Sequence, residues 1–169
     1  MVESLKLKAK DQKGFTLIEL LAVIVILGII AAIAIPAIGN VISKSKDDAK
    51  VAEAISIIDA ARLAQLDLNL SKTEDAANLA KGITVNRVSA TDDTITTIVW
   101  GKTSALDPLN DYLSKVQAAT YTVTYTEATK SYSISGHPAA SVKGVDVATA
   151  GGTASDGTLL EEDLANAAR

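Results

Sequence analysis

The sequence has 169 residues, of which 48% are hydrophobic and 21% are charged, and its formal net charge is -4. This length and composition predict one packed domain with an accessory element and argue against a disordered chain. The acidic balance, without a Lys/Arg cluster, argues against direct nucleic-acid binding. The chain contains no cysteine, which excludes disulfides, thiolate zinc sites and cysteine nucleophiles.

A basic segment followed by a long apolar segment opens the chain. Residues 1–14 include four lysines, and residues 15–38 are apolar except for Thr16 and Glu19. A helix over 15–38 spans about 36 Å, which is enough to cross a hydrocarbon core of roughly 30 Å. Lysines ahead of such a helix stay in the cytoplasm. The sequence therefore predicts one membrane-spanning helix with its amino terminus inside the cell.

A secretory signal peptide and a plain signal anchor are two ordinary interpretations of this region. The apolar run is longer than the usual core of about 7–15 residues in a signal peptide, and no A-x-A-like site with a polar mature start follows it. A plain anchor leaves Glu19 unexplained, because a carboxylate within an apolar run is costly unless it is paired, protonated or near the interface.

The residues at the junction of the two segments carry a more specific pattern. Residues 13–19 read Lys-Gly-Phe-Thr-Leu-Ile-Glu and continue directly into the apolar run. This closely resembles the prepilin cleavage motif of type IV pilins and the related pseudopilins. The resemblance implies that a membrane aspartyl peptidase cuts after Gly14, that the new amino-terminal residue Phe15 is N-methylated, and that Glu19 acts in assembly.

The chemistry of such a cut explains why these residue types occur together. Gly14 has no Cβ, so its backbone can lie close in a protease cleft. Cleavage leaves an α-amine on Phe15, a cation at the positive end of the helix dipole. Glu19 lies one helical turn away and can neutralise this amine in its own or a neighbouring subunit. In a filament core of low dielectric, such a pair would impose axial register rather than add raw stability.

Gly28 and Pro36 interrupt the apolar run. Both residue types are tolerated in transmembrane helices. Proline also removes an amide donor and clashes with the carbonyl four residues earlier, which loosens the helix around Ala32. In filaments of the resembled family, the segment between these positions can lose helical structure. We expect the same here in the assembled state, while the isolated subunit can stay helical.

Residues 39–70 predict an amphipathic continuation of the helix, so that one helix runs from Phe15 to about Leu68. Apolar residues recur at helical spacing along one face, and charged residues occupy the other. The apolar stripe is Ala54, Ile55, Ile58, Ala61 and Leu66, and the charged face holds Lys46, Asp47, Lys50, Glu53 and Asp59.

Residues 71–137 predict a globular head with two short helices. Ser71-Lys72-Thr73-Glu74 has the spacing of a capping box, and the helix that follows should end at Gly82. Asp107-Pro108 resembles an N-cap with proline at the first helical position, and predicts a short helix through about Lys115.

The same region also predicts strands. Ile83–Val88 and Thr94–Trp100 have strand composition. Thr120–Thr126 alternates strictly between apolar residues and threonine, and Tyr132 and Ile134 continue this alternation after a turn near Ala128–Lys130. The fold class is therefore α+β, with the long amino-terminal helix packed on a small antiparallel β-sheet of about four strands.

Residues 138–169 are rich in small residues and show no convincing strand. They form either a mobile surface tail or a loop pinned over the sheet with a short terminal helix. His137, within Gly-His-Pro, is interpreted as a turn residue, and the carboxylates near the end of the chain as a solvated surface. The sequence shows no catalytic or metal-binding constellation, so no cofactor is expected.

Taken together, the resemblance implies a structural protein, a major pilin, whose partners are copies of itself, the prepilin peptidase, the membrane assembly machinery and the bilayer before assembly. It would lie in the cytoplasmic membrane first and then in an extracellular pilus serving adhesion, motility or surface interaction. Alternatives are a pseudopilin of DNA uptake or type II secretion, and a monomeric membrane-anchored binding domain. The lack of the two cysteines common in Gram-negative pilins favours a Gram-positive or otherwise cysteine-poor system.

The expected segments are a leader (1–14), a membrane and filament-core helix (15–38), its amphipathic continuation (39–70), a head (71–137) and a tail or surface loop (138–169).

Overall fold

The computed structural model describes residues 16–89, 92–113, 116–142 and 157–169. Within these ranges the chain has three α-helices and one antiparallel sheet, which confirms the α+β class. The contacts of the chain fall into two compact units, Met1–Lys44 and Ser45–Arg169. The helices are α1 (Leu17–Asp67), α2 (Asp75–Ala80) and α3 (Glu161–Ala167), and the strands are β1 (Ile83–Arg87), β2 (Ile95–Lys102), β3 (Tyr121–Thr126), β4 (Ser131–Ser135) and β5 (Leu159–Leu160).

The sheet has the simple order β1-β2-β3-β4-β5, with every described neighbour pair antiparallel. The predicted alternation of β3 and its hairpin partner is confirmed, because their tyrosines and aliphatic residues are buried and their hydroxyl residues lie on the other face. Trp100, Val123 and Ile134 lie side by side across β2, β3 and β4 on the buried face. The sheet therefore presents one apolar face to a single core.

The carboxy-terminal part of α1 shares this core with the sheet. Four of its buried residues are alanines, whose small side chains allow close packing. Two predicted members of the stripe differ: Leu66 is 79% exposed and Ile55 is only partly buried. Leu66 lies in the last turn of the helix, beyond the buried stretch. The buried residues are Val51, Ala54, Ile57, Ile58, Ala60, Ala61 and Ala64.

The helix predicted after Ser71 forms, but its predicted cap does not. Lys72–Glu74 is a 3-10 turn, and the N-cap of α2 is Glu74 rather than Ser71. The Ser71 hydroxyl bonds to the Thr73 hydroxyl at 2.9 Å instead of to an amide of the helix. The predicted stop at Gly82 is confirmed: this glycine follows the helix with φ +87, and a Cβ there would lie 3.1 Å from the Gly101 carbonyl oxygen.

The short helix predicted from Asp107 to Lys115 is wrong for the residues that are described, and Lys115 lies outside them. Residues 108–112 form hydrogen-bonded turns. Asp107 does accept a bond from the Leu109 amide at 3.3 Å, as an N-cap would. Its carboxylate is also held by Tyr121 and Lys102, and these long-range contacts hold the segment as turns.

The end of the chain returns to the sheet. β5 adds a short fifth strand beyond the four expected, pairing Leu159 with Ile134, and Leu164 of α3 is buried in the core. Arg62 donates to Glu161 at 2.6 Å, which joins α3 to α1. The short terminal helix that one alternative expected is present, but Leu159–Leu160 form an edge strand where no strand was expected. Residues 143–156 lie outside the described residues.

Candidate functional site

The amino-terminal part of α1 exposes an unusually large number of apolar side chains. From Leu17 to Ile42, every large aliphatic residue is exposed, from 49% at Leu21 and Ile42 to 82% at Leu17. The helix is long and apolar enough to cross a membrane, with a mean hydropathy of 3.0 over its most apolar stretch. Leaving side chains of this kind in water instead of burying them costs about 1.5–3 kcal/mol each. This part of the helix requires an apolar environment.

Thr16 caps the first turn of α1, a role that was not predicted from the sequence. The Thr16 hydroxyl accepts a hydrogen bond from the Glu19 amide at 3.3 Å. The Thr16 carbonyl accepts from the amides of Glu19 at 3.0 Å and Leu20 at 3.2 Å. Thr-Leu-Ile-Glu has capping-box spacing, which is a signal that could have identified Thr16 as the N-cap.

Glu19 lies exposed in this first turn and is the only acidic residue between Thr16 and Lys44. A carboxylate near a helix amino terminus is favoured by the partial positive charge there. Gly14 and Phe15 lie outside the described residues. The cut after Gly14, the methylation of Phe15 and the pairing of its amine with Glu19 therefore remain predictions from the motif.

The helix runs without interruption through Gly28 and Pro36. A Cβ built on Gly28 would meet no heavy atom within 4 Å, so its space is open in the single chain. Helical structure here agrees with the expectation for an isolated subunit. The loosening expected in an assembled filament remains a prediction.

Asp107 of the head is held by a lysine and a tyrosine. Lys102 Nζ lies 3.0 Å from Asp107 Oδ2, and the Tyr121 hydroxyl donates to Asp107 Oδ1 at 3.0 Å. Burial, followed by the bond to Asp107, raises the pKa of Tyr121 well above its ordinary value, so this phenol stays neutral. Among the residues that the structure describes, no group of three His, Asp or Glu side chains is placed to hold a metal ion.

Comparison with known proteins matches the amino-terminal region to a family. Residues 9–35 match the model of the prokaryotic N-terminal methylation motif. The chain is 42% identical over 78 residues to the type IV major fimbrial protein FimA of Dichelobacter nodosus, which covers 44% of this chain and 46% of that protein. It is 62% identical over 42 residues to fimbrial protein Q of Moraxella bovis, covering 25% and 27%. It is 69% identical over 35 residues to a type IV major alpha-pilin of Moraxella bovis, covering 21% and 22%.

These similarities cover less than half of each relative's length. No solved structure matches the chain. The motif at 9–35 includes Gly14, Phe15, Thr16 and Glu19 and ends within the exposed apolar helix. The methylation motif, the fimbrial relatives and the apolar amino-terminal helix together show a likeness to type IV pilins that is strongest in the amino-terminal region.

Proposed function

We propose that this chain is the major structural subunit of a type IV pilus. Its precursor is cut after Gly14 and methylated at Phe15, held in the cytoplasmic membrane by the first part of α1, and then polymerised into an extracellular filament. The observation that carries this proposal is the methylation motif joined directly to the first part of α1, where every large aliphatic side chain from Leu17 to Ile42 is exposed.

The exposed helix explains why polymerisation follows membrane anchoring. A helix this apolar can leave a bilayer only if another apolar environment receives it. Parallel packing against the same segment of other copies supplies that environment without a change in sequence or structure. The membrane anchor and the filament core are therefore the same residues at two stages.

Glu19 gives this packing its register. Within a bundle of apolar helices, a carboxylate is stable only beside a cation, and the amine that cleavage creates on Phe15 is the nearest one supplied by the chain itself. Removing one partner of a buried ion pair costs about 3–5 kcal/mol, so misaligned copies are disfavoured. Lys44, the next charged residue along the helix, lies beyond the apolar run.

The head, built on residues 71–137 with the segment that follows, provides the filament surface. The relatives are named as a major fimbrial protein and a major pilin, and a structural role in place of catalysis is proposed here for this chain. The partners are copies of this chain, the prepilin peptidase and the membrane assembly machinery. The filament serves adhesion, motility or surface interaction.

Substitution at the cut tests the proposal. Gly14→Val should leave full-length precursor in the membrane and abolish surface filaments. The β-branched side chain would keep the backbone at residue 14 from lying close in the cleft of the peptidase. Gly39→Ala is the matched control, since a Cβ at Gly39 meets no atom within 4 Å. Normal processing of Gly14→Val would contradict the cleavage assignment.

Deletion of the gene separates the pilus from its alternatives. Loss of long surface filaments is the expected result. Loss of DNA uptake or protein secretion with filaments intact would instead identify a pseudopilin. A processed chain that is found only in the membrane would identify a monomeric anchored domain.

A further inference from the structure

A fully buried histidine lies beside a carboxylate of α1 in the head. His137 follows β4, and its Nδ1 accepts a hydrogen bond from the Ala139 amide at 3.1 Å, which caps the 3-10 turn Pro138–Ser141. Its Nε2 lies 3.6 Å from Glu53 Oε2, which is too long for a hydrogen bond. Among the described residues Nε2 has no hydrogen-bond partner. This imidazole is therefore held at one nitrogen only.

The same carboxylate also holds a third segment of the chain. Glu53 Oε1 accepts from the amides of Gln117 and of Ala118, the latter at 3.2 Å. Its other oxygen, Oε2, faces His137. Glu53 thus lies between the segment that leads into β3 and the turn that follows β4. Its Oε1 is hydrogen-bonded to the first, and its Oε2 faces the second.

These contacts determine where His137 carries its proton. Because Nδ1 accepts from the Ala139 amide, the neutral ring carries its hydrogen on Nε2, facing Glu53. A second proton can be added only at Nδ1, where it would face the amide hydrogen of Ala139. Protonation of His137 and its bond to Ala139 therefore exclude each other.

We propose that His137 and Glu53 form an acid-sensitive latch in the head. At neutral pH the imidazole caps the turn Pro138–Ser141. When His137 takes up a proton, it gives up this cap, pairs through Nε2 with Glu53 Oε2, and releases the turn. The bonds from Glu53 Oε1 to the segment before β3 persist in both states, so the release is confined to the connection after β4.

Among the described residues, Glu53 is the charged side chain that acts on the His137 ring. Tyr121, on the strand beside this turn, has a pKa raised by burial and stays neutral. Lys50, one turn earlier on α1, is ion-paired at 2.8 Å with the aspartate three residues before it. Residues 116–118 and 138–142 carry no charged side chains.

The direction of the pH effect follows from burial. Burial lowers the pKa of His137 below its ordinary value of 6.5, and the attraction of Glu53 opposes this shift without cancelling it. The unfolded chain therefore binds the proton at a higher pH than the folded chain. The stabilising contribution of neutral His137 is complete above pH 6.5 and is lost as the pH falls from there through the folded pKa.

Proton NMR of the full chain tests the latch, because His137 is the only histidine and its ring signals need no assignment. In a titration between about pH 8 and pH 5, the midpoint should lie below 6.5. The hydrogen-exchange protection of the Ala139 amide, relative to its intrinsic exchange rate, should be lost with the same midpoint. A midpoint at or above 6.5, or unchanged protection through the titration, would overturn the proposal.

Two substitutions separate the latch from general acid sensitivity. His137→Asn keeps an acceptor for the Ala139 amide but does not titrate, so protection at Ala139 should persist across the same range. Glu53→Gln keeps an acceptor for Gln117 and Ala118 but removes the charge, so the His137 midpoint should fall further. Equal loss of protection in His137→Asn and in the unaltered chain would show that another group releases the turn. A higher midpoint in Glu53→Gln would likewise contradict the assigned role of Glu53.

Discussion

The two parts of α1 differ in where their apolar side chains lie. Between Leu17 and Ile42 all large aliphatic residues are exposed, whereas Val51, Ile57 and Ile58 in the later part are buried to 2% exposure or less. The first part is apolar around its whole circumference, and the second has one apolar stripe opposite a charged face. A helix of the first kind needs a bilayer or other helices around it, and a helix of the second kind needs only a sheet on one side.

The two parts of α1 should therefore act on different equilibria, one on folding of the head and the other on insertion and assembly. The later part contributes to the folding of the head, and its residues should affect the free energy of unfolding. Among the described residues, the core cluster begins at Val51, so residues of the first part should affect insertion and assembly instead. Substitutions in each part can test this difference.

The largest effect is expected for Glu19→Ala. It should reduce surface filaments to a small fraction of the normal amount, because in the proposed assembly the Phe15 amine would lose its partner at a cost of about 3–5 kcal/mol per subunit contact. Head stability should not change. Quantifying sheared filaments measures the first, and thermal unfolding followed by Trp100 fluorescence measures the second.

Glu162→Ala is the matched control for Glu19→Ala, since Glu162 is an exposed glutamate near the start of another helix, α3. It should leave filament yield unchanged. Normal filament yield in Glu19→Ala would refute the assembly role.

The next effect is a difference between two identical truncations. Ile57→Ala should lower the free energy of unfolding of the head by about 2–5 kcal/mol, because it leaves a cavity at a fully buried position. Ile24→Ala removes the same atoms from a side chain that is 59% exposed and should leave head stability unchanged within about 0.5 kcal/mol. Urea unfolding followed by Trp100, the only tryptophan, reports on both.

Equal destabilisation by the two alanine substitutions would show that the first part of α1 packs into the head. The division between the two parts of the helix would then be wrong.

A smaller loss of head stability is expected for Arg87→Ala. Arg87 donates to Asp75 at 3.0 Å, to the Leu70 carbonyl at 2.8 Å and to the Asp93 carbonyl at 2.8 Å, so it ties the connection after α1 to the sheet. The substitution should lower the melting temperature of the head, though by less than Ile57→Ala. Lys130→Ala, which breaks an exposed ion pair with Glu127, should lower it little or not at all.

If Lys130→Ala lowered the melting temperature as much as Arg87→Ala, the hydrogen bonds from Arg87 to the Leu70 and Asp93 carbonyls would add nothing measurable. Arg87 would then contribute no more than a single exposed ion pair does.

The smallest effect is expected for Leu66→Ser. The sequence pattern placed Leu66 in the apolar stripe, but its side chain is 79% exposed. Head stability should therefore change by less than about 0.5 kcal/mol in urea unfolding. A decrease of several kcal/mol in the free energy of unfolding would show that Leu66 packs into the core, as the sequence pattern predicted.

The sequence allowed most of the fold to be predicted, because its strongest patterns are long. The apolar run predicts the first part of α1, and the strict alternation in Thr120–Thr126 predicts β3 and its partner. β5 was missed because Leu159–Leu160 is too short to show alternation. The turns after Asp107 were misread as a helix because the contacts of its carboxylate come from residues distant in sequence.

For the candidate site, Gly14, Phe15 and Glu19 were proposed from adjacent residues, and these assignments remain predictions. Thr16 could have been identified as the N-cap from capping-box spacing. The contact between Glu53 and His137 could not be predicted, because neither residue has a local pattern that indicates the other. It exists only because α1 and the turn after β4 pack in the same core.

We propose that the first part of α1, freed by a cut after Gly14, is the core of a surface filament. Filaments sheared from cells, imaged by electron microscopy and analysed by amino-terminal sequencing and intact mass, test it most directly. We expect filaments composed of this chain, beginning at a methylated Phe15. Filaments without this chain, or a chain that retains residues 1–14, would contradict it.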